Sequence, residues 1–492
     1  MKRKSTLNLT ALVWMFCSVS SAWAVPGQTP QTVPIVMMSD IHFDPFHDPA
    51  KFAQLRSAEV SGWEKILAAP DSPTQASDFA SLQQTCDAQA PDSDWRLLAS
   101  SLRAAKARQP SPLFITISGD LMVHQFECRF HTLAPGESSS ALSAFAAKTV
   151  AFVALELRLA FPHTPIYLAL GNNDSGCGDF QETPGSQFLR SVAQSVAAGA
   201  SADGKVAILR DFPHEGDYDI ALPRPMNKTR LIVLQDIFQS STYRTCAGAN
   251  DRQAAKTQIA WLTEHLAAAR AHGEQVWVMA HIPPGVNVPS TFRRNRDACS
   301  AHPAKMFLSS GALPDTLARF SDVVRLAIFG HTHNDEIRLL EANGCGPRQE
   351  PCAAIPAKLV PSITPVHGNN PAFLVATVAA STATLIDYSV FADNNKTGIG
   401  ADWSLEYRYS DAYGLPDFSA ASVERLVAGF ANDKGGVDAP SRDYRRWLSP
   451  GGSNGRDVML KHIWPAYVCS LTIYTEAAFH ECACSDRVEA AP

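Results

Sequence analysis

Five short polar segments constrain the fold of this 492-residue chain more strongly than any other feature, because each follows an apolar run. Side chains from five distant segments can act together only if the strands that precede them end at one edge of a sheet. The segments are Asp40-Ile41-His42, Gly119-Asp120, Gly171-Asn172-Asn173-Asp174, His281 and Gly330-His331-Thr332-His333. They predict that the loops after several strands converge on one site.

The rest of the chain has the alternation of strands and helices that such a site requires. Apolar runs without polar alternation are typical of strands buried on both faces, and segments with helical periodicity lie between them. Strands are predicted at 33–38, 113–118, 166–170, 230–234, 276–280, 324–329, 358–361, 373–378 and 382–388. Helices are predicted at 95–108, 141–160, 187–198 and 252–272. We therefore expect a layered α/β architecture.

The two ends of the chain differ from its centre. Basic residues at the start, an apolar stretch and Ala22-Trp23-Ala24 predict a signal peptide over residues 1–24. Residues 25–410 are expected to form the main domain, in which residues 43–94 have the composition of a loop-rich insertion near the mouth of the site. Residues 411–492 have a helical pattern and several cysteines, which predicts a small C-terminal helical subdomain containing disulfides.

Cysteine usage indicates the compartment. Ten cysteines follow the signal peptide, which argues for up to five disulfides in an oxidising compartment. Positions along the sequence suggest the pairs Cys345–Cys352 and Cys246–Cys299. Cys482 and Cys484 are close-set, and each is expected to have a different partner. No paired CxxC supports zinc binding by thiolates instead. We expect a secreted or periplasmic protein.

Net charge and hydropathy limit which molecules this protein can bind and whether it can be anchored in a membrane. The net charge of −6 provides no basic field for a nucleic acid, whereas a small anion held by metal ions is compatible with it. The apolar run of the signal peptide is short for a membrane span, and no later segment of the sequence is expected to form one. We therefore expect no stable membrane anchor. We also expect a monomer.

The residue types in the five segments are those of a site for two metal ions. A carboxylate that can bridge, here Asp120, is needed to hold two cations about 3.5–4 Å apart. The predicted ligands of the first ion are Asp40, His42, Asp120 and His333, and those of the second are Asp120, Asn172, His281 and His331. Imidazole and oxygen donors without thiolate favour zinc, manganese or iron over calcium or magnesium.

These motifs resemble the calcineurin-like metallophosphoesterase superfamily, and finer features resemble its acid sphingomyelinase-like branch. The finer features are Asp40-Ile41-His42-Phe43-Asp44-Pro45, Gly119-Asp120-Leu121-Met122-Val123-His124, His281-Ile282-Pro283-Pro284-Gly285, Gly330-His331-Thr332-His333-Asn334-Asp335-Glu336, and Pro361-Ser362 with Asn370-Pro371-Ala372-Phe373. The resemblance covers about residues 33–390. It implies a four-layer α/β/β/α sandwich, two zinc ions and a bridging hydroxide that attacks phosphorus in line, with His124 as a catalytic residue.

Two departures from the family pattern bear on the reaction. Where the family has a catalytic imidazole after the ligand asparagine, this chain has Asn173, whose amide can donate a hydrogen bond to a phosphoryl oxygen but cannot deliver a proton. Proton delivery then falls to His124, to water, or to a leaving group that needs little help. Only residues 25–32 separate the signal peptide from the first strand, so we expect no saposin domain of the kind found in acid sphingomyelinase.

Together these features predict an exported, dinuclear-metal phosphoesterase, and specifically a sphingomyelinase-like phosphodiesterase that cleaves a phosphodiester or phosphoanhydride. The substrate would be a small phosphoester such as a phospholipid headgroup, a nucleotide or a polyphosphate. A nucleotide or polyphosphate phosphohydrolase is the alternative within the same class. An alternative of another class is a metal-containing binding protein whose catalysis was weakened when the imidazole at Asn173 was lost.

Overall fold

The computed structural model describes residues 31–292, 303–341, 353–451 and 456–488. The predicted signal peptide lies outside these residues, as do Cys299, Cys345 and Cys352. The signal peptide and the Cys345–Cys352 pair therefore remain predictions.

The described strands form two six-stranded sheets. They are β1 (Thr32–Met38), β2 (Ile115–Ser118), β3 (Ile166–Ala169), β4 (Tyr218–Ala221), β5 (Thr229–Val233), β6 (Gln275–Met279), β7 (Val324–Phe329), β8 (Glu336–Glu341), β9 (Ala354–Leu359), β10 (Ala372–Ala379), β11 (Thr384–Asp393) and β12 (Trp403–Arg408). The first sheet has the order β12-β11-β10-β1-β2-β3, and the second has the order β4-β5-β6-β7-β9-β8. Strands β1 to β3 are mutually parallel, as are β5, β6, β7 and β9, so their carboxyl ends share an edge.

The helices lie mainly between these strands and after the last of them. They are α1 (Phe52–Ser57), α2 (Trp63–Leu67), α3 (Gln75–Thr85), α4 (Trp95–Arg108), α5 (Phe126–Leu133), α6 (Ser139–Ala160), α7 (Gln187–Ala198), α8 (Ala202–Glu215), α9 (Arg252–Ala271), α10 (Val288–Phe292), α11 (Ala312–Arg319), α12 (Tyr409–Tyr413), α13 (Ala420–Asn432), α14 (Ala439–Trp447), α15 (Arg456–His462), α16 (Trp464–Cys469) and α17 (Glu476–Val488). Several begin where the sequence supplies a cap; the Asp94 carboxylate, for example, accepts a hydrogen bond from the Leu97 amide at the start of α4.

Alternate residues of the second sheet show how the layers are stacked. Side chains in a strand point in turn to opposite faces. Along β5, Leu231 and Val233 belong to the core shared with the first sheet, whereas Ile232 packs in a separate cluster with Leu262 of α9 and Leu317 of α11. The two sheets therefore face each other, with helices outside them. This confirms the α/β/β/α sandwich.

The segment 43–94, predicted to be a loop-rich insertion, contains three short helices, α1, α2 and α3, with turns and loops between and after them. These helices have only 5 to 11 residues, too few for a clear periodicity in the sequence. Phe52, Leu55 and Trp63 anchor them in the main core. Tertiary packing, rather than local propensity, stabilises helices of this length.

The expectation that no later segment could span a membrane also needs correction. Among the described residues, the helix Ser139–Ala160 is long and apolar enough to do so. However, 61% of its apolar window is buried within the protein. The core helix of a soluble protein passes the same test of length and composition, so this helix is weak evidence for membrane insertion.

Three disulfides join described residues, namely Cys86–Cys128, Cys177–Cys246 and Cys469–Cys482. The suggested pair Cys246–Cys299 is wrong, because Cys246 joins the loop that follows β3 instead. Sequence proximity to His281 suggested that pair, but the fold brings the two loops carrying Cys177 and Cys246 together. Cys484 is also disulfide-bonded, so the close-set Cys482 and Cys484 have different partners, as predicted.

The helical character predicted for the end of the chain is confirmed by α12 to α17. Aromatic rings hold these helices together: Trp464 lies 5.4 Å from Phe430 and 6.0 Å from Tyr467 between ring centroids. The subdomain is joined to the second sheet through the backbone, since the Leu339 amide donates to the Leu471 carbonyl at 2.9 Å. It therefore lies against the strand that follows His333.

Candidate metal centre

All five predicted segments lie just beyond the carboxyl ends of strands β1, β2, β3, β6 and β7. Neighbouring parallel strands place their carboxyl ends together, which is where α/β folds build their sites. Backbone hydrogen bonds then join segments from different strands. The Asp40 amide donates to the Gly119 carbonyl at 3.0 Å, and the Gly330 amide donates to the His281 carbonyl at 2.9 Å. The convergence predicted from the sequence is therefore present.

The residues assigned to the first ion form a tight, fully buried group. His42 Nε2 lies 3.3 Å from Asp120 Oδ2 and 3.9 Å from Asp40 Oδ1. His333 Nε2 lies 3.3 Å from Asp40 Oδ1. Potential ligand atoms of Asp40, His42 and Asp120 all lie within 4.8 Å of one another, a separation compatible with a shared metal ion.

The residues assigned to the second ion form an adjoining group that shares Asp120 with the first. His281 Nε2 lies 3.1 Å from Asp120 Oδ2 and 3.1 Å from Asn172 Oδ1. His331 Nδ1 lies 2.8 Å from the same Asn172 oxygen. Asp120 is thus the common member of both groups, as a bridging carboxylate must be.

Hydrogen bonds leave the donor atoms of two histidines available for a cation. The Nδ1–H of His42 donates to the Met122 carbonyl at 2.9 Å, and the Nδ1–H of His281 donates to the Ser118 carbonyl at 2.8 Å. In each ring the lone pair of Nε2 therefore faces the acidic residues. His42 Nε2 is buried without a hydrogen-bond partner, which fits an atom that binds a metal.

Positive charge stabilises the buried carboxylates of this centre. Burial, together with the nearby Asp120 carboxylate, raises the pKa of Asp40 to about 7. Burial lowers the pKa of His281, but the Asp120 carboxylate outweighs it and raises the pKa to about 10. Without a metal, protons are thus retained near two buried carboxylates. Divalent cations would replace that positive charge, and the nitrogen and oxygen donors fit such ions.

Supporting carboxylates surround the ligands, and most of them were missed in the sequence. The Asn172 amide Nδ2 donates to Asp179 Oδ1 at 2.8 Å, which turns the Asn172 oxygen toward the histidines. Asp236 accepts from the backbone amides of His281 and Ile282. Asp179 lies in the loop after β3, outside the Gly171–Asp174 segment, and Asp236 follows β5, so neither residue belongs to a motif that indicates such a role.

Asp174, the last residue of the third segment, accepts hydrogen bonds from backbone amides next to two predicted ligands. Its carboxylate accepts from the amides of Gly171, Leu121 and Met122 at 2.8 to 3.0 Å. It therefore ties the loop after β3 to the loop that carries Asp120. Any effect on the ligands is exerted through these two loops.

The loops that carry the ligands are strained. Among the described residues, nine non-glycine residues have positive φ, and five of these are predicted ligands: Asp40, His42, Asp120, His331 and His333. This left-handed region is disfavoured for residues with a Cβ, and such strain concentrates at functional sites. Close packing adds a further constraint, since a Cβ at Gly171 or Gly330 would collide with the carboxylate of Asp120 or Asp40 respectively.

His124, predicted as catalytic, lies beside the first group. Its ring stacks on His42 with centroids 3.9 Å apart. Its Nδ1 lies 3.0 Å from Asp92 Oδ1, which also accepts a hydrogen bond from the Thr364 hydroxyl. Burial lowers the pKa of His124, but the Asp92 carboxylate outweighs it and raises the pKa to about 9. In the metal-free protein, His124 is thus held as a cation on the wall of the site.

Asn173, also predicted as catalytic, makes its hydrogen bonds to the bridging carboxylate. Its backbone amide donates to Asp120 Oδ1 and its side-chain Nδ2 donates to Asp120 Oδ2, both at 2.9 Å. The amide that was expected to reach a phosphoryl oxygen is therefore engaged with Asp120. This geometry describes a residue that positions a ligand.

A cavity of about 850 Å³ opens over these residues. At one end it is lined by Asp120, His124, Asn172, Asn173, His331 and His333. The loop that follows β9 contributes His367, whose ring centroid lies 4.6 Å from that of His333. The candidate centre is therefore open to a ligand of moderate size.

Comparison with known proteins agrees with this geometry. A sequence model of the family described as calcineurin-like phosphoesterase matches residues 33–335, more than half of the chain. The chain is 27% identical to human (Homo sapiens) acid sphingomyelinase-like phosphodiesterase 3b over 363 residues, covering 70% of this chain and 71% of that protein. It is 27% identical to sphingomyelinase phosphodiesterase C of Dictyostelium discoideum, covering 68% and 70% respectively.

A third relative has a different named substrate. Over 180 residues the chain is 28% identical to a cyclic GMP-AMP phosphodiesterase of Rattus norvegicus, covering 35% of this chain and 37% of that protein. The family match includes the segments that contain all seven predicted ligands. The chain is therefore a hydrolase, and it belongs to the calcineurin-like phosphoesterase family.

Proposed function

We propose that this protein is an exported phosphodiesterase that depends on two divalent metal ions and cleaves small phosphodiesters or phosphoanhydrides. The observation that carries the proposal is the convergence of two ligand groups on the shared carboxylate of Asp120. The first ion would be held by Asp40, His42, Asp120 and His333, and the second by Asp120, Asn172, His281 and His331. When bound, such a pair supplies an activated water nucleophile and neutralises charge on the phosphoryl oxygens.

The protein's own residues supply the remaining steps. His124, on the cavity wall, would donate its Nε2–H to the phosphoryl group and deliver that proton to the leaving group. Asp92 holds its imidazole in place through Nδ1. Asn173 has no proton to deliver and acts by orienting Asp120.

Zinc is the proposed metal, with manganese and iron as alternatives. The proposed ligand set contains four imidazoles, two carboxylates and one amide oxygen, with no thiolate. Imidazole suits zinc and iron better than calcium or magnesium, which prefer oxygen ligands. Disulfides between described residues support an oxidising compartment outside the cytosol, in keeping with the predicted export.

A sphingomyelinase-like phosphodiesterase is the first candidate, because two relatives are named for that activity or for likeness to it. A nucleotide phosphohydrolase is the second candidate, and the relative named as a cyclic GMP-AMP phosphodiesterase favours it. The second candidate also includes polyphosphate among its substrates. Both candidates use the same ligands and differ only in the group that the cavity must accept.

Reconstituted protein provides the test. Protein loaded with zinc or manganese, with the metal content measured, would be assayed on bis(p-nitrophenyl) phosphate, p-nitrophenyl phosphate, sphingomyelin, ATP, cyclic dinucleotides and polyphosphate. We expect turnover of the diester with two ions bound per chain. Two bound ions without turnover of any compound would overturn the enzymatic proposal and favour the metal-containing binding protein.

A further inference from the structure

The cavity extends well beyond the metal ligands, and most side chains that line this further part are apolar. Its polar members are Asn287, Ser290, Glu336, Arg338 and His462. One wall is formed by the segment that follows β6, which contributes Val286, Val288 and Phe292. Phe307 completes this wall. Val286, Val288, Phe292 and Phe307 are each at most 7% exposed. The ring of Phe307 lies 5.3 Å from that of His331 between centroids, so this wall begins at the metal centre itself.

The opposite wall comes from the C-terminal helices. Apart from His462, its lining residues are Leu448, Val458, Met459, Leu460, Ile463 and Tyr467. Its position relative to the metal centre is fixed by backbone and side-chain hydrogen bonds. The Asp335 amide, two residues after the ligand His333, donates to the Leu448 carbonyl at 2.8 Å. The hydroxyl of Tyr467 lies 3.0 Å from that of Tyr444 on α14, which in turn accepts a hydrogen bond from the Ile337 amide of β8 at 3.4 Å.

Apolar walls of this extent do not contribute to binding a bare phosphate or a polyphosphate chain. The phosphoryl group is served by the metal end of the cavity, whereas apolar side chains gain free energy only by covering apolar surface. Small-molecule sites typically combine such walls with a few polar groups that fix orientation. The two walls therefore indicate a second part of the substrate, attached to the phosphoryl group.

We propose that the space between these two walls binds an apolar substituent of the phosphoester, and that it makes the enzyme selective for esters that carry one. This inference rests on the phosphodiesterase function proposed above and narrows its substrate class. A nucleobase or an alkyl chain would satisfy the same apolar contacts. Polyphosphate would satisfy none of them.

Three diesters with one leaving group test the selectivity. They are the p-nitrophenyl phosphates of methanol, of octanol and of the thymidine 5′-hydroxyl. We expect at least one of the two larger esters to have a kcat/KM about tenfold or more above that of the methyl ester, and the faster one identifies the source of the apolar group. Equal kcat/KM for all three would overturn the inference while leaving the phosphodiesterase function intact.

Two exposed valines of the C-terminal subdomain provide a matched pair of variants. Val458 is 61% exposed and lines the cavity, whereas Val437 is 59% exposed and is absent from its lining. Val458→Glu should lower the ratio of kcat/KM between the preferred and the methyl ester about tenfold, and Val437→Glu should leave this ratio unchanged. If Val458→Glu has a lowered melting temperature, the milder Val458→Ser replaces it in this experiment. An unchanged ratio in folded Val458 variants would overturn the inference.

Binding provides a readout that does not depend on turnover. Methylphosphonate, octylphosphonate and a thymidine 5′-phosphonate have carbon–phosphorus bonds that this chemistry cannot cleave. Calorimetric titration of metal-loaded protein should show tighter binding of at least one larger phosphonate, by about tenfold, and Val458→Glu should remove this difference. If no ester turns over but the difference is found, the phosphodiesterase proposal fails and the apolar site stands. Equal affinities would overturn the site.

Discussion

The side-chain amide nitrogen of Asn172 lies 2.8 Å from Oδ1 of Asp179. Because a carboxylate only accepts hydrogen bonds, this contact decides which end of the Asn172 amide faces the metal centre. We expect Asp179→Leu to weaken binding of the second ion about 10- to 100-fold, the range typical for the loss of a partner behind a ligand. Titration of metal-free protein with zinc or manganese measures this.

The conservative variant supplies the control for that experiment. Asp179→Asn retains an oxygen that can accept the hydrogen bond from Asn172, so it should retain most of the affinity. Both variants should bind the first ion as the wild type does. Wild-type affinity for both ions in folded Asp179→Leu would show that the contact does not position Asn172.

The pair of His124 and Asp92 predicts a pH-dependent stability in the metal-free protein. The folded pKa of His124, about 9, lies above its ordinary value of 6.5. A raised pKa means that the pair stabilises the fold fully below about pH 6.5, and that this stabilisation is lost as the pH rises through about 9. His124→Gln should therefore lower the free energy of unfolding by about 3 kcal/mol more at pH 6 than at pH 9.5.

Denaturation by urea in the presence of a chelator, at both pH values, measures this difference. Asp92→Asn should reduce the pH dependence in the same direction, because the carboxylate is the cause of the raised pKa. An equal effect of His124→Gln at pH 6 and pH 9.5 would contradict the expected charge on His124.

Leaving groups can separate the roles of His124 and Asn173. A proton donor matters most when the leaving group is a strong base, and general acids contribute about 10²- to 10⁴-fold. His124→Gln should therefore slow cleavage of an alkyl diester by this factor and of a p-nitrophenyl diester much less. Asn173→Ala removes a hydrogen bond to Asp120, so it should slow both diesters to a similar degree. A loss in Asn173→Ala that depends on the leaving group would contradict this assignment.

Metal removal should abolish activity and lower the melting temperature. A ligand that binds only the folded state at 100 times its Kd adds about 2.7 kcal/mol to stability. Restoring zinc should therefore raise the melting temperature of the wild type, and His281→Ala should respond less because one predicted ligand is lost. The exposed His163 provides a matched control, and His163→Ala should behave like the wild type. Full activity after complete removal of metal would contradict the dinuclear proposal.

The fold and the grouping of the predicted ligands could be predicted because both follow from the order of strands. An apolar strand followed by a polar ligand is a local pattern, and parallel strands bring such patterns to one edge. Asp40 and His331 are almost three hundred residues apart in the sequence, yet the His331 amide donates to Asp40 Oδ1 at 3.0 Å. No knowledge of the intervening residues is needed for that expectation.

The supporting residues could not be predicted in the same way. Asp92 and Asp179 lie in loops, and their partners His124 and Asn172 are identified only when the loops are seen folded. The apolar wall from α15 and α16 likewise depends on how the C-terminal helices lie against the second sheet. Short helices such as α1 and α2 are stabilised by tertiary contacts, which leave little local signal.

The positive φ angles at five predicted ligands have an evolutionary consequence. Each left-handed residue with a Cβ costs about 1–3 kcal/mol, and glycine would remove that cost. Selection for thermal stability alone would therefore drive positions such as Asp40 and His333 toward glycine, whereas selection for catalysis would reverse each change. In a lineage that no longer needed the reaction, these positions should be among the first to drift.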